Sequence, residues 1–581
     1  MFRRIVVAAA AAAAVAHAAD ARACGCFAMG NTAQPVVQAG ERILFAHEGD
    51  QVIAYIQIKY QGAADQFGWI VPLPTVPTLE VGTDQLFTML DSATLPQYRL
   101  TTNQQFCSGG SSSGTDVDGE GGCGFGGNSA SPNYGGGAGS DMGVSVSRDM
   151  AAGGVVVQQA SIGPYDYAVL HADDESAMLQ WLSDNRYFVP AGTDAAVMPY
   201  IHPGAYFLAL KLRGGQSSGD IAPIVLRYTS DLPMIPITLT QVGAVDNMGI
   251  LVWVAGEARA IPRNYYHVVV DDLPIWFSNF ATYNQDLIDA VHAAPGKHGF
   301  ITQYAGGSDL VWNRLDYPGR FGDPTQLRAQ ATPSDYLHYL RDNNYYPFDG
   351  TMLSILSRYL PEPQALVDAG VQPSQFYANY DYYASSDPGS DADGGAAMPF
   401  DPGPITDEIV ARIVTPMKDV NALLGRHPYL TRLYTALSPK DMTIDPVFST
   451  NRDIGNVPLV HSATLTIPCV GDAWLHTDAE GYEVQYVSGL APNLNLPRAQ
   501  RVELVRDAGP AELVQDNDAT IRAALGPVDH GRATSPSSSD SSSSIGCGCT
   551  LGKRRVRPNL ALLLFMCGAA VGVRSLRRRR S

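Results

Sequence analysis

Apolar and polar residues alternate along short segments in the first half of the chain. Five apolar residues recur at every second position of one segment: Val52, Ala54, Ile56, Ile58 and Tyr60. This period of two is typical of a strand. Other apolar runs predict further strands: RILFA, FGWIVPLPTVP, GVVVQQASIG, YDYAVLHA, AYFLALKLR, APIVLRYTS, MIPITLTQVG, GILVWVAGEARAIP and YYHVVVDD. Prolines within several runs favour strand ends and sheet edges. We therefore predict an antiparallel, β-rich domain over residues 24–275, with helices at DQLFTMLDSA and DDESAMLQWLSDNRY.

The pattern changes after about residue 275. Four segments have the three-to-four-residue period of amphipathic helices: TYNQDLIDAVHAA, TPSDYLHYLRDNN, DGTMLSILSRYL and TDEIVARIVTPMKDVNALLGRHPYLTRLYTAL. The last is long enough for two or three helices. We predict a mainly helical region over residues 276–530, and an α+β fold class for the chain.

Three segments lack this periodicity. Residues 108–150 are rich in Gly and Ser, as is typical of a disordered insertion, because such a composition cannot bury enough apolar surface to offset chain entropy. Residues 384–404 predict a second flexible loop. A Ser-rich segment over 531–546 predicts a stalk.

The first 23 residues have the composition of a secretory signal peptide. Two arginines precede an alanine-rich apolar run, and small residues follow. Cleavage after Ala18 or after Ala23 fits the pattern. Lipidation of Cys24 is not expected, because Ala21 and Arg22 stand where a lipoprotein signal carries other residues.

Export permits disulfides. The candidates in the body of the chain are Cys24, Cys26, Cys107, Cys123 and Cys469. We predict a bridge between Cys107 and Cys123, which bracket the Gly/Ser segment. Cys24 and Cys26 are too close to bridge each other easily, so one of them is expected to meet Cys469. Five is an odd number, so at least one thiol is free or pairs elsewhere.

The charge balance excludes one class of partner. The whole chain has a formal net charge of −18, and residues 24–549 carry 27 basic and 56 acidic side chains. Binding to nucleic acid requires basic patches, so nucleic acid is not an expected partner. An acidic surface suits a soluble, self-repelling protein at the cell surface.

Motifs for chemistry are weak. Residues 110–114 satisfy G-x-S-x-G and residues 119–124 satisfy G-x-G-x-x-G, but both lie in the Gly/Ser segment without the strand and helix that these motifs need. His47 and His461 are interpreted as structural or solvated. No spacing of Cys and His predicts a metal site.

Two further patterns leave alternatives open. Residues 116–119 and 391–394 resemble the start of calcium loops but lack the glutamate at position 12, so solvated acidic loops are the favoured interpretation. Five aromatic residues lie between Phe376 and Tyr383. They are favoured as core, although an exposed cluster could stack on sugars or partner proteins.

The C-terminal segment has three parts in order: Cys547 and Cys549 within Gly546–Cys549, an apolar run over 560–573, and an Arg-rich end over 574–580. It resembles the MYXO-CTERM sorting signal of myxobacterial exported proteins. The resemblance implies a sorting protease, cleavage near the cysteines and retention at the cell surface or outer membrane, through a lipid on one Cys. A permanent membrane anchor is the alternative. Fourteen apolar residues span roughly 21 Å as a helix, which is short for a bilayer core of ~30 Å.

The body of the chain resembles the DUF2330 family of bacterial exported proteins. The matching segments are ACGCF, GERILFA, FGWIVPLP, VWVAGEARAIPRNYY and YLTRLYTALSPKDMTIDPVF. The resemblance spans residues 24 to about 480. It implies export but no activity, and therefore contributes no catalytic, cofactor or metal residues.

Together these features predict an exported, surface-anchored protein with a structural or binding role, without a cofactor and with an unknown surface ligand. An exported hydrolase whose site is assembled from distant residues is the alternative.

Overall fold

A computed structural model describes residues 37–530. Gaps lie at 62–66, 106–154, 172, 186, 188–191, 214–220, 279–281, 316–319, 346–349, 386–399, 470–471, 487–494 and 529. The predicted signal peptide, Gly/Ser insertion, Ser-rich stalk and sorting signal lie outside the described residues.

Twenty strands are described. They are β1 (Val37–Glu48), β2 (Gln51–Gln61), β3 (Gly68–Leu73), β4 (Thr78–Val81), β5 (Gln97–Gln104), β6 (Val156–Ile162), β7 (Tyr165–His171), β8 (Tyr206–Leu212), β9 (Ile224–Thr229), β10 (Met248–Gly256), β11 (Arg259–Pro262), β12 (Tyr266–Val270), β13 (Gly299–Gly307), β14 (Tyr429–Leu437), β15 (Phe448–Asn451), β16 (Val460–Ile467), β17 (Ala473–Thr477), β18 (Glu483–Tyr486), β19 (Ala499–Leu504) and β20 (Glu512–Asp516).

The α-helices in the described residues are α1 (Asp84–Thr94), α2 (Glu175–Asp184), α3 (Thr193–Val197), α4 (Ile237–Thr240), α5 (Leu273–Ser278), α6 (Tyr283–Val291), α7 (Asp309–Leu315), α8 (Pro324–Arg328), α9 (Pro333–Asp342), α10 (Gly350–Tyr359), α11 (Gln364–Asp368), α12 (Pro373–Ala378), α13 (Tyr380–Ser385), α14 (Pro402–Ile409), α15 (Thr415–Arg426) and α16 (Asp518–Leu525). A π-helical segment, Val410–Val414, joins α14 to α15.

The largest sheet has ten strands in the order β20-β19-β12-β13-β14-β10-β1-β2-β9-β4. Two four-stranded sheets accompany it, in the orders β18-β17-β16-β5 and β3-β8-β7-β6, and β11 pairs with β15. The large sheet combines strands from both sides of residue 275. The mixed α and β content is therefore confirmed, with a β-rich N-terminal region and helices toward the C-terminus.

Both faces of the ten-stranded sheet are buried. On one face Ile43, Phe45 and Val52 pack against the sheet that contains β3, β7 and β8. On the other, Leu44 and Ile53 pack against α1, α7 and α15. Double-sided burial explains the unbroken apolar runs Ile43–Ala46 in β1 and Ile250–Ala255 in β10. Helices α8 to α14 form a separate apolar cluster among themselves.

Strand direction differs from the sequence prediction. Most pairs are antiparallel, but β1 pairs with β10, β5 with β16, and β12 with β13 in parallel. Parallel strands need a long connection between them, and the joined elements are far apart in the chain. The spacing of apolar residues in a strand indicates which of its side chains are buried. It does not indicate whether the paired strand is parallel or antiparallel.

Two elements were predicted as the wrong type. Residues 429–437, predicted as helical, form strand β14 between β13 and β10. Both faces of β14 are covered, so its apolar run does not alternate and resembles a buried helix. Residues 237–240, predicted within a strand, form the short helix α4. Pro233 and Pro236 lack the N–H groups that a central strand would donate.

Candidate functional site

A cavity of about 370 Å³ lies where the sheet containing β5 and β16 meets β12, β13 and α6. Its polar lining comes from distant parts of the chain: Tyr98, Asp272, Tyr283, Gln303, His461 and Glu480. The parallel pairing of β5 with β16 sets the register, because it places His461 directly opposite Tyr98.

His461 and Asp272 form the centre of the cavity wall. The Nδ1 atom of His461 lies 2.5 Å from Oδ2 of Asp272. The hydroxyl of Tyr98 donates to Oδ1 of the same carboxylate at 3.2 Å, and its ring stacks on the imidazole with centroids 4.9 Å apart. Both carboxylate oxygens are thus used, and the imidazole is held in one orientation. Among the described residues, Nε2 of His461 has no hydrogen-bond partner, and 23% of the side chain is exposed.

Several carboxyl groups lie in or near this part of the wall. Burial raises the pKa of Glu480, and the negative charge of Asp272 raises it further. Behind the wall, burial raises the pKa of Asp271 to about 7, although its carboxylate accepts from the Leu273 N–H at 3.1 Å. Burial would lower the pKa of His461, but the hydrogen bond and charge of Asp272 outweigh it, and the pKa is raised. The cavity therefore favours a positive charge.

Gln303 and Tyr283, which also line the cavity, are held by contacts with the core. Gln303 donates to the Tyr283 hydroxyl at 3.2 Å and accepts from Nε of Arg432 at 2.7 Å. Arg432 is 3% exposed and also bonds to Asp91. The side chains that face the cavity here are consequently positioned by a buried cation of strand β14.

His267 lines the same cavity but has no free nitrogen. Its Nδ1 pairs with Glu503 at 3.0 Å, and its Nε2 lies 3.0 Å from Nη2 of Arg259. Burial lowers the pKa of His267. Because Arg259 can only donate, Nε2 of His267 accepts and the imidazole is neutral. We assign His267 a structural role.

The raised pKa of His461 gives a direct test of this geometry. In an NMR titration, His461 should titrate above the ordinary histidine value of ~6.5, and Asp272→Asn should shift its pKa downward. The pair contributes stability that is complete below the unfolded-state pKa and is lost as the pH rises through the folded-state pKa.

His267 serves as the internal control in that titration. Its partners are Glu503 and Arg259, so its titration should be the same in Asp272→Asn as in the wild type. An unchanged pKa of His461 in the variant would contradict the pairing.

The arrangement can hold a polar ligand, and it can in principle move a proton at Nε2 of His461. Ser462 also lines the cavity, but it follows His461 on a strand, where successive side chains point to opposite faces. Within the described residues, no Ser or Cys side chain hydrogen-bonds to His461, and no group of three or more His, Cys, Asp or Glu side chains could hold a metal ion.

The predicted cysteine sites lie mostly outside the described residues: Cys24, Cys26, Cys107, Cys123, Cys547 and Cys549. Cys469 follows β16 and is disulfide-bonded. Its sulfur lies 3.5 Å from the carbonyl oxygen of Gln105, which is two residues before Cys107. Non-reducing peptide mapping would identify the cysteine to which Cys469 is bonded.

The other singled-out residues have ordinary surroundings. His47 bonds to the carbonyl of Ser230 at 3.1 Å, as a structural side chain does. In the aromatic segment Phe376 and Tyr377 are buried, whereas Tyr382 is 66% exposed. The acidic segments 116–119 and 391–394 lie in gaps of the described chain.

No helix within the described residues is long and apolar enough to cross a membrane. The apolar run over 560–573, predicted as the helix of the sorting signal, lies outside them.

Sequence reasoning missed the site because its members are far apart. His461 and Asp272 are separated by 189 positions. The only local signal was the pair Asp271 and Asp272 at the end of the predicted strand YYHVVVDD. No sequence motif in β5 or β16 predicts that these two strands pair.

The comparison with known families supports one part of the expected relationship. Residues 18–306 match the family described as "Uncharacterized protein conserved in bacteria (DUF2330)". No curated protein and no solved structure gives a significant match. The match includes Tyr98, Asp272 and Gln303 and ends before His461. Over residues 18–306, the chain is therefore similar to the DUF2330 family.

Proposed function

We propose that the protein is exported, retained at the cell surface and binds a small ligand there without altering it. Export is supported by the apolar, Arg-preceded N-terminal segment, and retention by the C-terminal resemblance to a MYXO-CTERM signal. On this proposal the organism is a myxobacterium, and its membrane and a sorting protease are the partners of the tail.

Processing of the tail tests the location. Intact-mass analysis of native membrane-fraction protein should find a chain that lacks the apolar run over 560–573 and the final arginines. Replacing both Cys547 and Cys549 by Ala should leave the precursor uncleaved and larger by the mass of the tail. Recovery of the 577–580 peptide from mature surface protein would identify a permanent anchor instead.

The ligand class follows from the cavity around His461 and Asp272. Asp272 and Glu480 place two carboxyl groups near the imidazole of His461, Asp478 adds a third carboxyl group to the lining, and Tyr98 and Tyr283 line the cavity as well. Burial and the negative charge of Asp272 both raise the pKa of Glu480, and a cation beside the two carboxyl groups would favour their charged forms. Aromatic faces also attract cations. We infer that the ligand is a small polar amine, for which an amino sugar serves as the probe; the convergence of acidic groups in this cavity carries the proposal.

A matched pair of probes tests the charge. Glucosamine and glucose have nearly the same shape, and only glucosamine carries an ammonium group. In calorimetric titrations the wild type should bind glucosamine at least about tenfold more tightly than glucose. Glu480→Gln should reduce this preference to about twofold or less.

The exposed carboxylate of Glu512 provides the control, because it pairs with Arg506 and neither residue lines the cavity. Glu512→Gln should keep the full preference for glucosamine. Equal binding of the two sugars by the wild type, or an unchanged preference in Glu480→Gln, would refute the ligand class.

The His461–Asp272 pair favours a second candidate, an exported hydrolase in which His461 acts as a general base. On this alternative, a panel of ester, amide and glycoside substrates should reveal turnover that His461→Gln abolishes. The same variant should leave glucosamine binding within about threefold of the wild type if the imidazole is needed only for chemistry. Turnover that survives in His461→Gln would exclude this mechanism.

A further inference from the structure

A second cavity of about 370 Å³ lies between the ten-stranded sheet and strand β3. Its walls are mostly apolar and come from β1, β2, β3 and β9, with Ile43, Phe45, Ala54 and Trp69 among them. None of its lining residues belongs to the cavity around His461. Its volume is within the range of small-molecule sites.

One carboxylate faces this apolar space without a partner. Glu41 is 7% exposed, and its side chain makes no hydrogen bond or ion pair with any residue in the described part of the chain. On strand β1 it lies between Ile58 of β2 and Ile250 of β10. A carboxylate among isoleucines is costly to bury unless something pairs with it, and burial raises the pKa of Glu41 to about 7.

Asp445 is a second carboxylate in the lining of this cavity, but its hydrogen bonds are satisfied within the chain. Asp445 accepts from the Tyr200 hydroxyl at 2.6 Å and from the Thr238 N–H at 2.9 Å. Glu41 is therefore the lining carboxylate that needs a partner from outside the chain.

The cavity extends along strand β1. Glu41, Ile43 and Phe45 line it from alternate positions of one strand. At about 3.3 Å per residue they extend over roughly 13 Å. A ligand that fills this space would lie along the strand, with one end at Glu41 and apolar groups on either side.

We propose that this cavity binds an elongated apolar molecule with a basic nitrogen at one end, the nitrogen paired with the Glu41 carboxylate and the chain lying along Ile43 and Phe45. The apolar walls contribute by burial of the chain, and the nitrogen supplies the hydrogen bonds and charge that the protein does not provide. The ligand differs from the polar amine proposed for the first cavity, so the two sites can be tested separately.

Two probes of equal chain length distinguish the contribution of the charged nitrogen from that of the apolar chain. They are n-octylamine, which is protonated at about pH 8, and 1-octanol. In calorimetric titrations the wild type should bind n-octylamine at least about tenfold more tightly than 1-octanol. Glu41→Gln keeps the shape and removes the charge, so it should bind the two probes within about threefold of each other.

A second variant tests the location independently. Ala54 lies on β2 in the cavity wall, and Ala54→Leu should fill part of the space and weaken both probes at least about fivefold. Circular dichroism and thermal melting would establish that both variants are folded. The proposal is overturned if the wild type binds neither probe, if Glu41→Gln retains the preference for n-octylamine, or if Ala54→Leu binds both probes like the wild type.

Discussion

Replacing Arg432 by alanine is expected to lower the free energy of unfolding by about 3–5 kcal/mol, since it removes the hydrogen bonds of a buried guanidinium to Asp91 and Gln303, and hydrogen bonds to charged groups contribute about 1.5–3 kcal/mol each. Arg432 is 3% exposed in the middle of β14. Its Nη2 lies 2.7 Å from Asp91, its Nε donates to Gln303 at 2.7 Å, and its guanidinium lies 5.3 Å from the ring centre of Trp253. The substitution removes all three contacts and opens a cavity in the core.

Urea unfolding followed by fluorescence would measure this effect. Arg227→Ala is the matched control, because Arg227 also lies in a strand of the ten-stranded sheet but forms an exposed ion pair with Glu80 at 3.1 Å. Exposed pairs contribute about 0–1 kcal/mol. Equal losses in the two variants would mean that the buried network around Arg432 does not stabilise the fold.

The same substitution should disturb the first cavity at a distance. Arg432 orients Gln303, which in turn donates to Tyr283 in the cavity wall. Binding of glucosamine by Arg432→Ala should therefore be weaker even under conditions in which the variant is folded.

Glu41→Gln is expected to stabilise the protein, by an amount that depends on pH. The folded-state pKa of Glu41 is about 7, against an ordinary value of 4.5. As the pH rises from 4.5 to 7, the unfolded chain releases this proton first, so the wild type loses stability across that interval. At 1.36 kcal/mol per pKa unit the loss reaches about 3 kcal/mol above pH 7. Because glutamine does not titrate, the variant does not lose this stability as the pH rises.

The measurement compares urea unfolding of the wild type and the variant at about pH 4.5 and pH 8. The difference between the two free energies of unfolding at each pH cancels the contributions of the other titratable groups, because both proteins contain them. The advantage of Glu41→Gln should be about 3 kcal/mol greater at pH 8. Glu80→Gln, an exposed change on β4, should alter stability by less than about 1 kcal/mol at either pH. A difference between wild type and Glu41→Gln that is the same at both pH values would contradict the buried, unpartnered carboxylate.

Local patterns of apolar residues predicted the amphipathic helices and the strands whose apolar residues alternate over many positions. The helix TPSDYLHYLRDNN appears as α9, with Tyr336, Leu337 and Leu340 buried on one face. Strand β2 has the predicted face, with Val52, Ala54, Ile56 and Ile58 in one core cluster. Its other face is buried as well, through Ile53 and Tyr55. The alternation indicated a strand but gave no sign that the sheet is covered twice.

The site was not predictable by the same means. The sequence interpretation of His461 as structural or solvated rested on its local surroundings, in which no motif is present. Its contact with Asp272 depends on the parallel pairing of β5 with β16 and on the position of β12 beside them. These are long-range pairings, and a segment's own periodicity does not specify its partner.

The amino-acid sequence by itself determined the local preferences of this protein: the strands near its N-terminal end, the amphipathic helices that follow, and the acidic charge that disfavours nucleic acid. Each of these depends on neighbouring residues or on composition alone. Only the tertiary structure decided which strands pair, that Arg432 and Glu41 are buried, and that His461 meets Asp272. Such burial and pairing arise when distant segments exclude water together. The free energy of burying each charged group therefore depends on the complete fold.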